Sequence, residues 1–170
     1  MTHSPLTRPL RRLWLVPALV ALTAAVWALS ASAVDGPQTF SLLEVDIPKN
    51  DRALGDFRFD RPPAGGDQFV VTNALYDDGS RVGRVRVLHT FVTGFGPRFA
   101  HSATMLFVAQ VYLHGGTMLV QGYGQVDPDG PSKLRFPIVG GTGRYARVRG
   151  YLDVRNLSER KTKLDFHLLP

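Results

Sequence analysis

Val139-Gly140-Gly141-Thr142-Gly143-Arg144-Tyr145-Ala146-Arg147-Val148-Arg149-Gly150-Tyr151-Leu152-Asp153-Val154 is the stretch that decides the fold. Its Gly141-Thr142-Gly143-Arg144-Tyr145-Ala146 core has the glycine spacing of a dinucleotide-binding turn. That turn needs a helix directly after it, whose N-terminus faces the pyrophosphate. Here residues 146–154 alternate apolar and polar, which is the period of a strand. Too little chain follows for a second βα unit, and the lysine of a phosphate-binding loop is absent. The glycines are therefore read as hairpin residues, able to take positive φ, and no nucleotide cofactor is expected.

The same alternation extends through the chain. Eight strands are expected, at about 38–47, 68–76, 81–92, 101–113, 117–126, 132–139, 145–155 and 161–169. Turn chemistry separates them, including Asp77-Asp78-Gly79-Ser80, His114-Gly115-Gly116, Gly140-Gly141-Thr142-Gly143 and Asn156 to Arg160. Residues 52–61 are ambiguous and add at most a short strand. The connections leave no room for crossover helices, so the strands must pair antiparallel. The expected fold is all-β, an eight-stranded antiparallel up-and-down β-barrel, with a sandwich as the alternative closure. A barrel of this size either fills its interior or holds one small ligand.

In the 101–113 run, Ala103, Met105, Phe107, Ala109, Val111 and Leu113 share one face, and Thr104, Leu106, Val108, Gln110 and Tyr112 share the other. Both faces are largely apolar, so the outer one calls for a partner subunit or a docked segment, and a homo-oligomer is expected.

The N-terminus has a separate reading. Arg8, Arg11 and Arg12 precede an uncharged stretch from Leu13 to Leu29, and Ala31-Ser32-Ala33 is a small-x-small cleavage site. This is the pattern of a secretory signal peptide over residues 1–33, cleaved after Ala33. The length of the apolar stretch also allows an uncleaved anchor. The full chain has 170 residues and a formal charge of +6. Removing residues 1–33, with three arginines, leaves 137 residues with seventeen basic and fourteen acidic side chains, a charge of +3. That is a mild excess rather than a nucleic-acid footprint, so no nucleic-acid partner is expected. Residues 34–170 are the expected barrel domain, secreted or extracytoplasmic, with no membrane association after cleavage.

Cysteine is absent, which excludes disulfides, thiolate zinc sites and a cysteine nucleophile. His89, His101, His114 and His167 fall in different strands or turns without metal-ligand spacing, so no metal is expected. Arg84 and Arg86 share one strand face, and Arg147 and Arg149 another, flanked by Tyr145 and Tyr151. Each pair reads as a solvated face or as a platform for an anion. Glu44 and Asp46 share a parity with Leu42 in the first strand. Either the acids face solvent, or they line the lumen; in the lumen Glu44 would be desolvated, its pKa raised, and suited to acid–base or electrostatic work.

Several segments together resemble the allene oxide cyclase barrel family, with the plant dirigent proteins as distant relatives. They are Gly66-Asp67-Gln68-Phe69-Val70-Val71-Thr72-Asn73-Ala74-Leu75-Tyr76-Asp77, Arg81-Val82-Gly83, Gly116 to Gly122, Val139 to Tyr145, and Arg149-Gly150-Tyr151. The resemblance spans about residues 40–168 and is similar to a bacterial, exported member. It implies an eight-stranded barrel, often trimeric, with an apolar lumen. In the plant cyclase that lumen binds an unstable fatty-acid epoxide and directs its cyclisation, largely by orientation. Carried over, Glu44 matches the family's first-strand glutamate and Asn73 matches an asparagine, and these two are the candidate catalytic residues. His89 stands about where the cyclase has a cysteine and is a candidate substrate-binding residue. Asp46 replaces an asparagine. The Ser-Pro after the first strand has no counterpart near Asp51-Arg52-Ala53, and the dirigent aspartates would fall near Thr72 and Asn73. The implied partner is a small apolar or amphipathic molecule, which the barrel binds and either directs through a cyclisation or isomerisation, or simply carries in the manner of a lipocalin. A secreted structural barrel with a filled interior is the third reading.

Overall fold

The structure, a computed structural model, describes residues 36–95, 102–127 and 133–169. The leader and cleavage site expected over residues 1–33, and His101, lie outside the described residues. Among the described residues nine strands follow in chain order: β1 (Gln38–Val45), β2 (Arg52–Leu54), β3 (Gln68–Asp77), β4 (Ser80–Phe91), β5 (Ala103–Leu113), β6 (Gly116–Val126), β7 (Lys133–Gly143), β8 (Arg149–Ser158) and β9 (Lys161–Leu169). From β3 to β9 each strand pairs antiparallel with the next, and β1 pairs with both β9 and β3. Eight strands thus close an antiparallel barrel, and β2 adds a ninth on the free end of β3. The ambiguity at 52–61 resolves as this three-residue strand.

Local chemistry sets the hairpins. Asp78 and Gly79 both have positive φ, 43° and 81°, as a two-residue turn of type I′ demands. The glycine-rich stretch differs from expectation. Residues 140–143 belong to β7 rather than to a hairpin loop, and the turn follows at 144–147. Gly140 takes φ 148° beside a register shift, where Leu119 pairs with Gly140 but Val120 pairs with Ile138. Gly143 has φ 59°, and a Cβ there would lie 2.2 Å from the carbonyl oxygen of Gly115. The glycines serve a bulge and a close backbone approach. β8 begins only at Arg149, so Arg147 sits in the turn and shares no strand face with Arg149, and Tyr145 is buried beneath Arg144. At the other end β8 runs on to Ser158, which shortens the expected turn at 156–160.

Inward-facing residues follow the period of two. Phe166, Leu75, Met118, Leu168 and Val111, all fully buried, gather at one end of the barrel, and Phe40 stacks on Phe166 at 4.8 Å. Tyr145 and Val148, from the 144–148 segment, belong to the same packed cluster. One end is therefore a filled floor. The opposite end is lined by Phe91, Met105 and Val126 with Phe95, and the interior between is open.

Candidate functional site

The interior is a cavity of about 450 Å³ with a largely apolar wall. That is the size of a small-molecule site. Two glycines of β6 shape it. A Cβ at Gly122 would lie 2.8 Å from the ring of Phe136, and one at Gly124 would lie 2.9 Å from Leu134. Their bare backbone lets Phe107 and Phe136 pack with centroids 5.0 Å apart.

Glu44 faces this lumen rather than solvent, and Asp46 lines it as well. Glu44 still touches the open space of the cavity, yet protein encloses it, and this desolvation raises its pKa. A hydrogen bond from Asn73 pulls the pKa down by less, and the nearby Asp46 charge pushes it up.

Asn73 is the only buried polar residue among those described. Its position follows from the topology. The C-terminal half of β3 pairs with β1 and its N-terminal half with β2, so the ladder on that edge is interrupted at residues 71–73. Chain leaving β1 crosses here through a single 3-10 turn at Pro48–Asn50. The Asn73 Oδ1 accepts the Ile47 backbone N–H at 3.2 Å, and the Asn50 side-chain amide donates to the Thr72 carbonyl at 3.3 Å. Side-chain bonds thus replace the missing ladder bonds. Because Ile47 occupies Oδ1, the Asn73 amide nitrogen must point inward, where it donates to Glu44 Oε1 at 2.7 Å. Oε1 is therefore an acceptor, and a protonated Glu44 carries its proton on Oε2.

His89 also lines the lumen. Register places it between Phe69 and Phe107 on the adjacent strands. It stacks on Phe69 at 4.4 Å, nearly parallel, and meets Phe107 edge-on at 5.1 Å. Burial lowers its pKa to about 4, so it is neutral near pH 7, and its Nε2 is buried with no hydrogen-bond partner. The three residues singled out in the sequence thus all reach one cavity, but only Glu44 and Asn73 touch each other.

Sequence reasoning missed the aromatic rim. Phe57, from the β2–β3 connection, is buried against Phe69 at 5.7 Å and Phe91 at 6.4 Å. A two-pronged Arg61–Asp67 ion pair, both contacts 2.8 Å, ties down this connection. The sequence signal available was the Phe57-Arg58-Phe59 spacing within an otherwise polar loop. Among the described residues no group of three or more His, Asp or Glu side chains could hold a metal ion.

Residues 46–168 match the family of the allene oxide cyclase barrel like domain, and the chain belongs to that family. Glu44 lies two positions before the matched residues, whereas Asn73 and His89 lie within them. Solved structures of the same fold include a pyocyanin demethylase, with 21% identity and a TM-score of 0.60 over 77% of this chain and 99% of the other. A pterocarpan synthase dirigent protein has 17% identity and a TM-score of 0.60, over 79% of this chain and 94% of its own. A Diels–Alderase from Streptomyces koyangensis has 23% identity and a TM-score of 0.56, over 90% and 71%. No curated protein matches the sequence.

Proposed function

We propose that this chain is an exported ligand-directing barrel that binds one small, largely apolar molecule in its lumen and guides a cyclisation or isomerisation of it. The carrying observation is the bond between Asn73 and Glu44 inside a largely apolar cavity. A raised pKa keeps Glu44 protonated to higher pH than an ordinary carboxyl, and its free Oε2–H points chemistry at an oxygen on the ligand. A hydrogen bond donated to that oxygen grows stronger as negative charge develops there, which lowers the barrier in a dry site. The aromatic and aliphatic wall supplies the rest by holding the ligand in a folded, reactive conformation. Asn73 is a positioning residue in this scheme, because it fixes which carboxyl oxygen is free. His89, neutral and enclosed by rings, acts on ligand shape rather than as an acid or base. The named neighbours include a Diels–Alderase and a dirigent protein, a range consistent with such a role.

A carrier without chemistry is the second reading. It is favoured by the separation of His89 from the Glu44–Asn73 pair, which leaves no acid–base relay. Product analysis separates the two. The chain and Glu44→Gln are incubated with polyene and epoxide substrates, and products are resolved by chiral chromatography. Directed chemistry predicts a stereochemically enriched product that declines in Glu44→Gln. Saturable binding with no change in product would leave the carrier.

The proposal includes assembly into a homo-oligomer. Leu106, Val108 and Tyr123, with Leu88 and Leu119, form an apolar strip on the outer wall of β4–β6, and Tyr123 is 67% exposed. Light scattering on the purified chain tests this, since a monomer would remove assembly from the reading.

A further inference from the structure

A second cavity, of about 380 Å³, lies on the outside of the barrel, on the opposite face of β3 from the lumen. Its walls come from two sources. The crossover between β1 and β3 contributes Lys49, Asn50 and Arg52, and the barrel surface contributes Thr72, Arg84 and Arg86 above a floor that includes Val70. Register explains the convergence. Arg52 pairs with Val70, Thr72 with Arg86, and Arg84 with Tyr112, so outward side chains of four adjacent strands lie in neighbouring rows.

Among the described residues, four cations face this groove and no carboxylate lines it. Among the described residues, none of the four makes an ion pair, whereas Arg61, Arg135 and Lys163 elsewhere on the barrel are all paired with aspartates. Arg84 instead lies over the ring of Tyr112, its guanidinium carbon 4.7 Å from the ring centroid, a cation–π contact that places the charge at the groove wall. Tyr112 in turn is hydrogen-bonded to Gln110. Asn50 is fixed by its bond to the Thr72 carbonyl. Like charges crowded on one sheet face repel one another, and an anion placed among them relieves that repulsion. Planar guanidinium forks match the oxygens of phosphate in pairs, and Lys49 adds a mobile point charge.

We propose that this outer groove is a binding site for a compact polyanion, held through phosphate oxygens by Lys49, Arg52, Arg84 and Arg86. It is separate from the lumen and does not depend on the chemistry assigned there.

Inorganic pyrophosphate is the probe. The full-length chain is titrated at constant ionic strength and followed by backbone NMR, alongside Arg84→Gln/Arg86→Gln and a control, Arg147→Gln/Arg149→Gln, that removes the same charge from exposed positions elsewhere. The site predicts shifts concentrated at residues 49–52, 70–72 and 84–86. It also predicts that the groove variant loses about tenfold or more in affinity, the control much less, since each lost charge-assisted bond is a large part of binding. Equal weakening in the two variants, shifts scattered over all basic residues, or no pyrophosphate binding would overturn the site. Phosphatidylglycerol and phosphatidylcholine vesicles then distinguish the source. Retention on the anionic vesicles that Arg84→Gln/Arg86→Gln abolishes and pyrophosphate displaces assigns the phosphate to a lipid headgroup. Pyrophosphate binding at the groove without such retention assigns it to a soluble molecule.

Discussion

Asn73 donates to Glu44 Oε1 at 2.7 Å only because its own Oδ1 is taken by the Ile47 backbone N–H at 3.2 Å. The bond that closes a gap in the barrel wall therefore also orients the carboxyl in the lumen. Asn73→Ala removes both bonds and leaves the Ile47 N–H without its partner. The expected loss of stability is about 1–3 kcal/mol, read from urea unfolding midpoints. Asn73→Asp keeps the acceptor for Ile47 but places a second carboxyl beside Glu44. It should recover most of the stability near the acid end and lose it as pH rises.

Glu44 has a raised pKa in the fold, so the folded chain holds a proton that the unfolded chain has released. Stability from this group is complete below the ordinary carboxyl range and declines as pH rises toward the folded value. Glu44→Gln carries no such charge and retains an oxygen for Asn73. The variant should be more stable than the parent at neutral and alkaline pH, and the two should converge in acid. Thermal unfolding at several pH values measures this. A parent that gains stability relative to Glu44→Gln as pH rises would contradict the burial of Glu44.

His89 works in the opposite sense. Its folded pKa of about 4 lies below the ordinary histidine value, so acid favours the unfolded chain. Between about pH 6.5 and 4 the parent should lose up to about 3 kcal/mol through this residue alone. His89→Phe should be less sensitive over that window, since a ring of similar shape fits between Phe69 and Phe107. Equal acid sensitivity in the two chains would show that His89 is not enclosed.

Much of this arrangement was legible in the sequence, because a period of two is a local signal and the turns between strands carry their own chemistry. The closure was less so. Whether β1 turns Glu44 inward depends on its pairing with β3 and β9, contacts between residues about 30 and 120 positions apart that no local pattern encodes. The glycines at 140–143 read as a loop because positive φ serves hairpins and bulges alike. Asn73 was visible as a polar residue in an apolar strand, yet its bond to Ile47 fills a gap that exists only because β1 and β2 share one edge of β3. The Arg147 and Arg149 pairing failed for a related reason: alternation continues through residues 146–148 although the backbone there is a turn.

Ala109 is the residue best placed to separate lumen binding from any other binding. It lines the cavity between Val87 and Val120 on adjacent strands. Ala109→Phe projects a ring into the cavity that this buried residue lines. The barrel should therefore fold with a cost within about 1–3 kcal/mol, while affinity for a luminal ligand falls at least about tenfold.

The central claim, that the lumen is the ligand site, is tested most directly by methyl NMR on Met105, Ala109 and Val120 during titration with short polyenes and epoxides. Saturable shifts are predicted at these three methyl-bearing residues, with outer-wall Leu106 and Val108 unmoved, and the Met105 and Val120 shifts should be lost in Ala109→Phe. Shifts confined to Leu106 and Val108, or persisting unchanged in Ala109→Phe, would contradict it and move the binding site to the outside of the barrel.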